Sequence, residues 1–251
     1  MLEVSRRAAI GAILAALVCL CSSAAHAQWS GHATASYGRG LGAISLSQGN
    51  LALGRNALRE RAARRGNAAQ PVRTPGRHDV ALTYTPDPQL TEKIRVSMID
   101  LASANNPASR PEWEKAMASD GILRDFDTLM AAQGYSRLNF ADDVAMLLAV
   151  CWEVVNDRDA TEAQFRGARA QMHTAAQINP TLRALPNPER QALAESIAYQ
   201  VMIMFATKVS ADRNGNQAQL AELRDSATKA ASQYGIDVAH MQLTEKGFRK
   251  P

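Results

Sequence analysis

The chain has 251 residues, with 28 basic and 24 acidic side chains, a formal net charge of +4 and 46 % hydrophobic residues. That length is enough for one domain with its own core, since domains commonly run about 100 to 200 residues. Its 3 cysteines exclude a disulfide-built scaffold: Cys19 and Cys21 lie in an N-terminal apolar run, and Cys151 alone cannot form an internal bridge in an oxidising compartment.

The N-terminal stretch, MLEVSRRAAIGAILAALVCLCSSAAHAQWS, has the layout of an export signal. Arg6 and Arg7 supply the positive region, Ala8 to Cys21 the apolar core, and Ser22 to Ala27 the small-residue end, so residues 1–27 are expected to be cleaved near Ala27. The apolar core is too short for a membrane anchor, which needs about 20 residues. The twin arginine is followed by Ala9, where a folded-protein export signal carries a large apolar residue, so the ordinary secretory route is expected. Val18 and Leu20 precede the two cysteines where a lipoprotein signal has a small residue, and no lipid anchor is expected.

Residues 28–80 form a basic, low-complexity arm. Eight arginines (Arg39, Arg55, Arg59, Arg61, Arg64, Arg65, Arg73, Arg77) less Glu60 and Asp79 give it a charge of +6. Residues 81–251 carry 18 basic against 21 acidic side chains, or −3, so the positive balance belongs to the arm. Rich in Gly, Ala, Asn, Ser and Arg and without a sustained apolar period, the arm is expected to be largely disordered, because it buries too little to offset its ordering entropy. It reads as a solvated linker or as an electrostatic contact with an anionic envelope surface or an envelope protein. Nucleic acid is not expected, since no recognition motif accompanies the arginines.

Val80, Leu82 and Tyr84 alternate in DVALTYTP, which reads as one extended segment laid on the body, without a visible partner strand. Helix punctuation then repeats. Asp87 caps and Pro88 opens a helix with Leu90, Ile94, Met98 and Leu101 on one stripe. A short piece follows around Pro111, and then a helix with Ile122, Phe126, Leu129 and Met130 that stops at Gly134. Asn139 caps NFADDVAMLLAVCWEVVND. Asp159 with Glu162 suggests a capping box ahead of the Phe165, Ala168, Met172, Ala176 stripe. Asn187 and Pro188 open the next helix, and a last one carries Leu220, Leu223, Ala227, Ala230 and Tyr234 to Gly235. The helices at 140–156 and 188–208 are apolar almost all round and belong in the middle. The expected fold is therefore all-α: residues 81–251 as an irregular bundle of about six helices behind the arm.

The chemistry of the body is sparse. Cys151, between Val150 and Trp152, reads as a small buried hydrophobe rather than a nucleophile. Asp142 and Asp143 read as first-turn carboxylates favoured by the helix dipole, with acid–base or metal work as the alternative. Gln191, Glu195 and Tyr199 form an i, i+4, i+8 ladder, either a structural polar network or a carboxylate with a raised pKa lining a cleft that Asp143 also edges. His32, His78, His173 and His240 are far apart and there is no Cys-x-x-Cys, so neither a metal nor a cofactor is expected. The Met-rich VMIMF at 201–205 reads as core. The function expected is that of a non-catalytic envelope or secreted interaction protein. The alternative is an enzyme or small-ligand-binding protein with a cleft near Glu195.

Three stretches in order, NFADDVAMLLAVCWEVVND, ERQALAESIAYQVMI and YGIDVAHMQLTEKGF, resemble a family of exported bacterial proteins known only as a domain of unknown function. The likeness covers roughly Thr83 to Phe248 and ends on Gly247 and Phe248. It implies export and one all-helical domain, and it implies no catalytic residue, cofactor or ligand.

Overall fold

A computed structural model describes residues 82–251 except Asn105, Ser119 and Asp120. The expectations for the export signal and the basic arm lie outside the described residues. Within them the protein is all-α apart from one small hairpin. Its elements are α1 (Pro88–Ser103), a 3-10 turn (Pro107–Ser109), α2 (Arg110–Ala116), α3 (Gly121–Ala132), α4 (Phe140–Asn156), α5 (Glu162–Gln177), the single turn α6 (Pro180–Arg183), α7 (Asn187–Asn214), α8 (Gln217–Ser232), β1 (Gln242–Thr244) and β2 (Gly247–Arg249).

Helix α4 is the axis. It packs against α5, α7 and α8, and every residue from Phe140 to Val154 is buried. A helix so enclosed must satisfy its end groups internally. Asn139 does so at the start, its side chain accepting from the backbone N–H groups of Ala141 and Asp142. Asp157 ends the helix in the left-handed conformation, with its N–H on the Glu153 carbonyl. Cys151 is fully buried, as the sequence implies, and burial raises its thiol pKa, the opposite of what a nucleophile needs. Val201 to Met204 are likewise core.

Two boundaries differ from the sequence reading. Helix α7 continues past residue 208 to Asn214, because nothing breaks it before Gly215 takes the left-handed cap conformation (φ 62°). The capping box of α5 is Thr161 with Gln164, not Asp159 with Glu162: each side chain bonds the other's backbone N–H. The chain just before it is otherwise engaged, since the Ala160 N–H donates to Glu153 Oε1 at 2.8 Å.

Two segments outside the helices are fastened to the body by polar side chains. The chain ahead of α1 is a strap laid on the body, as expected: Thr83 pairs with Asn139 in an isolated antiparallel bridge, and the Tyr84 N–H reaches the Leu138 carbonyl at 3.0 Å. The C-terminal hairpin, with Leu243 opposite Phe248, has strands too short to show an alternating period. Helix α5 holds it through Gln164 Nε2 on the Leu243 carbonyl (2.6 Å) and Gln171 Oε1 on the Phe248 N–H (2.6 Å). Helix α4 adds Trp152 Nε1 on the Met241 carbonyl at 3.1 Å. Gly167 permits the approach, because a Cβ there would lie 2.5 Å from the backbone of Thr244 and Glu245.

Candidate functional site

The ladder on α7 runs toward the strap. Asn187 makes a two-way amide pair with Thr85, its Oδ1 accepting from the Thr85 N–H (2.7 Å) and its Nδ2 donating to the Thr85 carbonyl (2.9 Å). One turn on, Gln191 does the same with Asp87: Oε1 accepts from the N–H at 2.8 Å, and Nε2 donates to the carbonyl at 2.9 Å. Gln191 Nε2 also lies 3.0 Å from both Thr91 Oγ1 and Glu195 Oε1, and the Thr91 hydroxyl reaches the same Glu195 oxygen at 2.9 Å. Asn187, Gln191 and Glu195 thus form a polar zipper that fixes the strap and the first turn of α1 to α7. Glu195 is only 1 % exposed, and Gln191 and Tyr199 are buried as well. Asn187 belongs to this set although its sequence signal, a helix start before Pro188, concealed it.

On the other side of the strap lie the two aspartates of α4, and the helix dipole does not by itself account for either. Both are 0 % exposed. Asp142 faces α5. Its Oδ1 lies 2.6 Å from Arg169 Nε and 2.6 Å from His173 Nε2, and its Oδ2 receives Arg169 Nη2 at 3.0 Å and the Ser136 N–H at 2.8 Å. The Arg169 guanidinium also sits over the Tyr135 ring, 5.6 Å from its centre. Burial alone would raise the Asp142 pKa, but the bonds from His173 and Arg169 overcome it and hold the carboxyl below its ordinary value. A histidine on a carboxylate is the orienting half of a catalytic dyad. Here an arginine shares the same carboxylate, which makes the set a clamp between α4 and α5. Arg169 was missed from the sequence and His173 was weighed as a metal ligand and not as a partner of Asp142, although their i, i+4 spacing on one helix was a legible signal.

Asp143 has no such partners. Neither of its carboxyl oxygens meets a hydrogen-bond donor among the described residues. Burial first, then the neighbouring Asp142, pushes its pKa well above the ordinary carboxyl value; Arg137 opposes this, and Glu195 and Asp127 add to it. The buried Tyr84 hydroxyl, which accepts from Arg137 Nη1 at 3.5 Å, is pushed up by burial and then by Asp143, with Glu195 adding to the effect. Asp143 and Glu195, two of the residues singled out from the sequence, therefore belong to one buried polar region beneath the strap. Tyr199 lies two helical turns beyond Gln191 in the same interior.

Among the described residues no group of three or more His, Cys, Asp or Glu side chains is arranged to hold a metal ion. None of the described helices is long and apolar enough to cross a membrane. Residues 4–250 match a family of unknown function (DUF6683). The chain belongs to that family. The match is wider than the likeness from Thr83 to Phe248, and it takes in the basic arm as well as the helical body. No curated protein and no solved structure matches the chain.

Proposed function

We propose that this member of the family is an exported, non-catalytic interaction protein, in which residues 81–251 form the folded body and the arginine-rich arm, 28–80, makes the contact. The observation that carries this reading is the zipper of Asn187, Gln191 and Glu195. Two members of the most reactive-looking ladder of the body, Gln191 and Glu195 through its Oε1, are committed to fastening the strap and the first turn of α1. A carboxylate 1 % exposed and already accepting from Thr91 and Gln191 offers little to a substrate, which sets the ligand-cleft reading behind this one.

The arm supplies what the body does not. Its charge of +6 suits an anionic envelope surface or an acidic patch on an envelope protein. The family match runs through arm and body as one stretch, which supports the two acting together. The signal-like residues 1–27 support delivery to the periplasm or the exterior, with cleavage near Ala27.

Cell fractionation with salt washes tests this. The full chain is expected in the envelope fraction and to be released by high salt, whereas a form lacking residues 28–80 is expected in the soluble exported fraction. Equal partitioning of the two forms would sink the contact role of the arm.

A further inference from the structure

We propose that Asp143 is a buried proton-binding site: its carboxyl keeps its proton in the folded protein, and its ionisation loosens the strap at Tyr84, where it meets the loop before α4. The donors near Asp143 are all engaged elsewhere. At a helix start a carboxylate ordinarily collects backbone N–H groups. Here the Asn139 side chain takes those of Ala141 and Asp142, and the Asn139 carbonyl takes that of Asp143. The Asp143 oxygens receive none, and they receive no side-chain donor among the described residues.

The charged and titratable groups around Asp143 come from each element packed against it. Asp142 is on its own helix, Arg137 on the loop before α4, Glu195 on α7, Asp127 on α3 and Tyr84 on the strap. Arg137 is the one cation in that set, and it is turned to the Tyr84 hydroxyl and to Asp127 Oδ1 at 3.9 Å. The others are acids or a phenol. A fully buried carboxylate facing like charges, without a donor of its own, relieves the cost of burial by keeping its proton.

Ionisation disturbs the strap in one of two ways. The new charge draws Arg137 away from Tyr84 and Asp127, or it draws water to the carboxylate past Tyr84. Either displaces Tyr84, whose N–H on the Leu138 carbonyl is the strap's backbone tie to the loop before α4. For a group whose folded pKa is raised above its ordinary 3.8, the favourable contribution is fully present below 3.8 and is lost as pH rises toward and through the folded value.

The test compares the full chain with Asp143→Asn, which keeps the shape and cannot ionise. In urea unfolding at rising pH above 3.8, the wild-type folding ratio is expected to fall relative to the variant by about tenfold per pH unit, the signature of one proton. Amide exchange at Tyr84, referred to amides in α8, is expected to accelerate with pH in the wild type only. A protonated-carboxyl band in the infrared spectrum of the wild type, absent from the variant, reports the proton directly. Parallel pH profiles for the two proteins, or a missing band, would overturn the proposal. So would a cation that survives desalting of the wild type in native mass spectrometry and is lost in the variant, since that makes Asp143 an ionised ligand. Should Asp143→Asn fail to fold, carboxyl-carbon NMR of aspartate-labelled wild type decides the matter: one aspartate that stays protonated well above pH 3.8 supports the site, and none refutes it.

Discussion

Asp142 and Asp143 are consecutive, equally buried and in the same helical turn, yet only the Asp142 carboxylate has hydrogen-bond partners among the described residues. Successive residues of an α-helix point about 100° apart, so the two side chains leave α4 in different directions. Asp142 turns to α5, where Arg169 and His173 meet it, and Asp143 turns to the strap and α7, where Tyr84 and Glu195 lie. One interior therefore contains a carboxylate stabilised as a charge and a carboxyl disfavoured as one.

Removing the clamped member leaves two basic side chains facing an empty space. Breaking a buried ion pair by deleting one partner costs about 3–5 kcal/mol. Asp142→Ala is expected to lose stability in that range in urea unfolding, less whatever solvent screening the third-exposed Arg169 receives. A loss below about 1 kcal/mol would mean that the clamp contributes little more than a surface pair does.

The pH dependence of that clamp has the opposite sign to that of Asp143. The Asp142 carboxyl lies below its ordinary 3.8 in the folded protein, so its stabilisation is present above that value. It is lost as pH falls through the still lower folded value. Acid titration of unfolding midpoints should show a steeper loss in the wild type than in Asp142→Asn. Identical acid limbs would contradict the clamp.

The zipper on α7 predicts unequal effects along its length. Gln191→Ala removes the acceptor of the Asp87 N–H, while the Asp87 carbonyl keeps the Thr91 N–H; since Asp87 is exposed, the cost is that of one ordinary hydrogen bond, about 0.5–1.5 kcal/mol. Faster amide exchange at Asp87 should accompany the lower Tm. Glu195→Gln retains an acceptor for Thr91 and is expected to change stability by less than about 1 kcal/mol, without altering partitioning between cell fractions. A change in that partitioning would move Glu195 from the interior network to the contact surface.

Gly167→Ala tests the hairpin. The added methyl meets backbone rather than a flexible side chain, so the hairpin itself must shift. Overpacking of this kind costs about 1–3 kcal/mol. Loss of amide protection at Phe248, with α7 unaffected, is the expected local signature.

Helix positions were largely legible because they are local: the Asp87 and Asn139 caps and the two fully apolar stretches follow from neighbours a few residues apart. The roles of the polar side chains were not. Gln191 is explained by Asp87, 104 residues earlier in the chain, and Asp142 by Arg169 on the next helix, 27 residues later. Periodicity on one helix does not show such partners. The hairpin escaped for another reason: its three-residue strands are held by Gln164 and Gln171 of α5 rather than by any pattern of their own. Gly167 is required by the hairpin backbone lying against it, which nothing local on α5 shows.

The contact role proposed for the arm is tested most directly by co-sedimentation with anionic lipid vesicles. Residues 28–251 and a form lacking residues 28–80 would be compared at low and high salt. The longer form is expected to pellet at low salt and to be released at high salt, while the shortened form stays in solution throughout. Pelleting of the shortened form to the same extent, or binding of the longer form that ignores salt, would contradict that role.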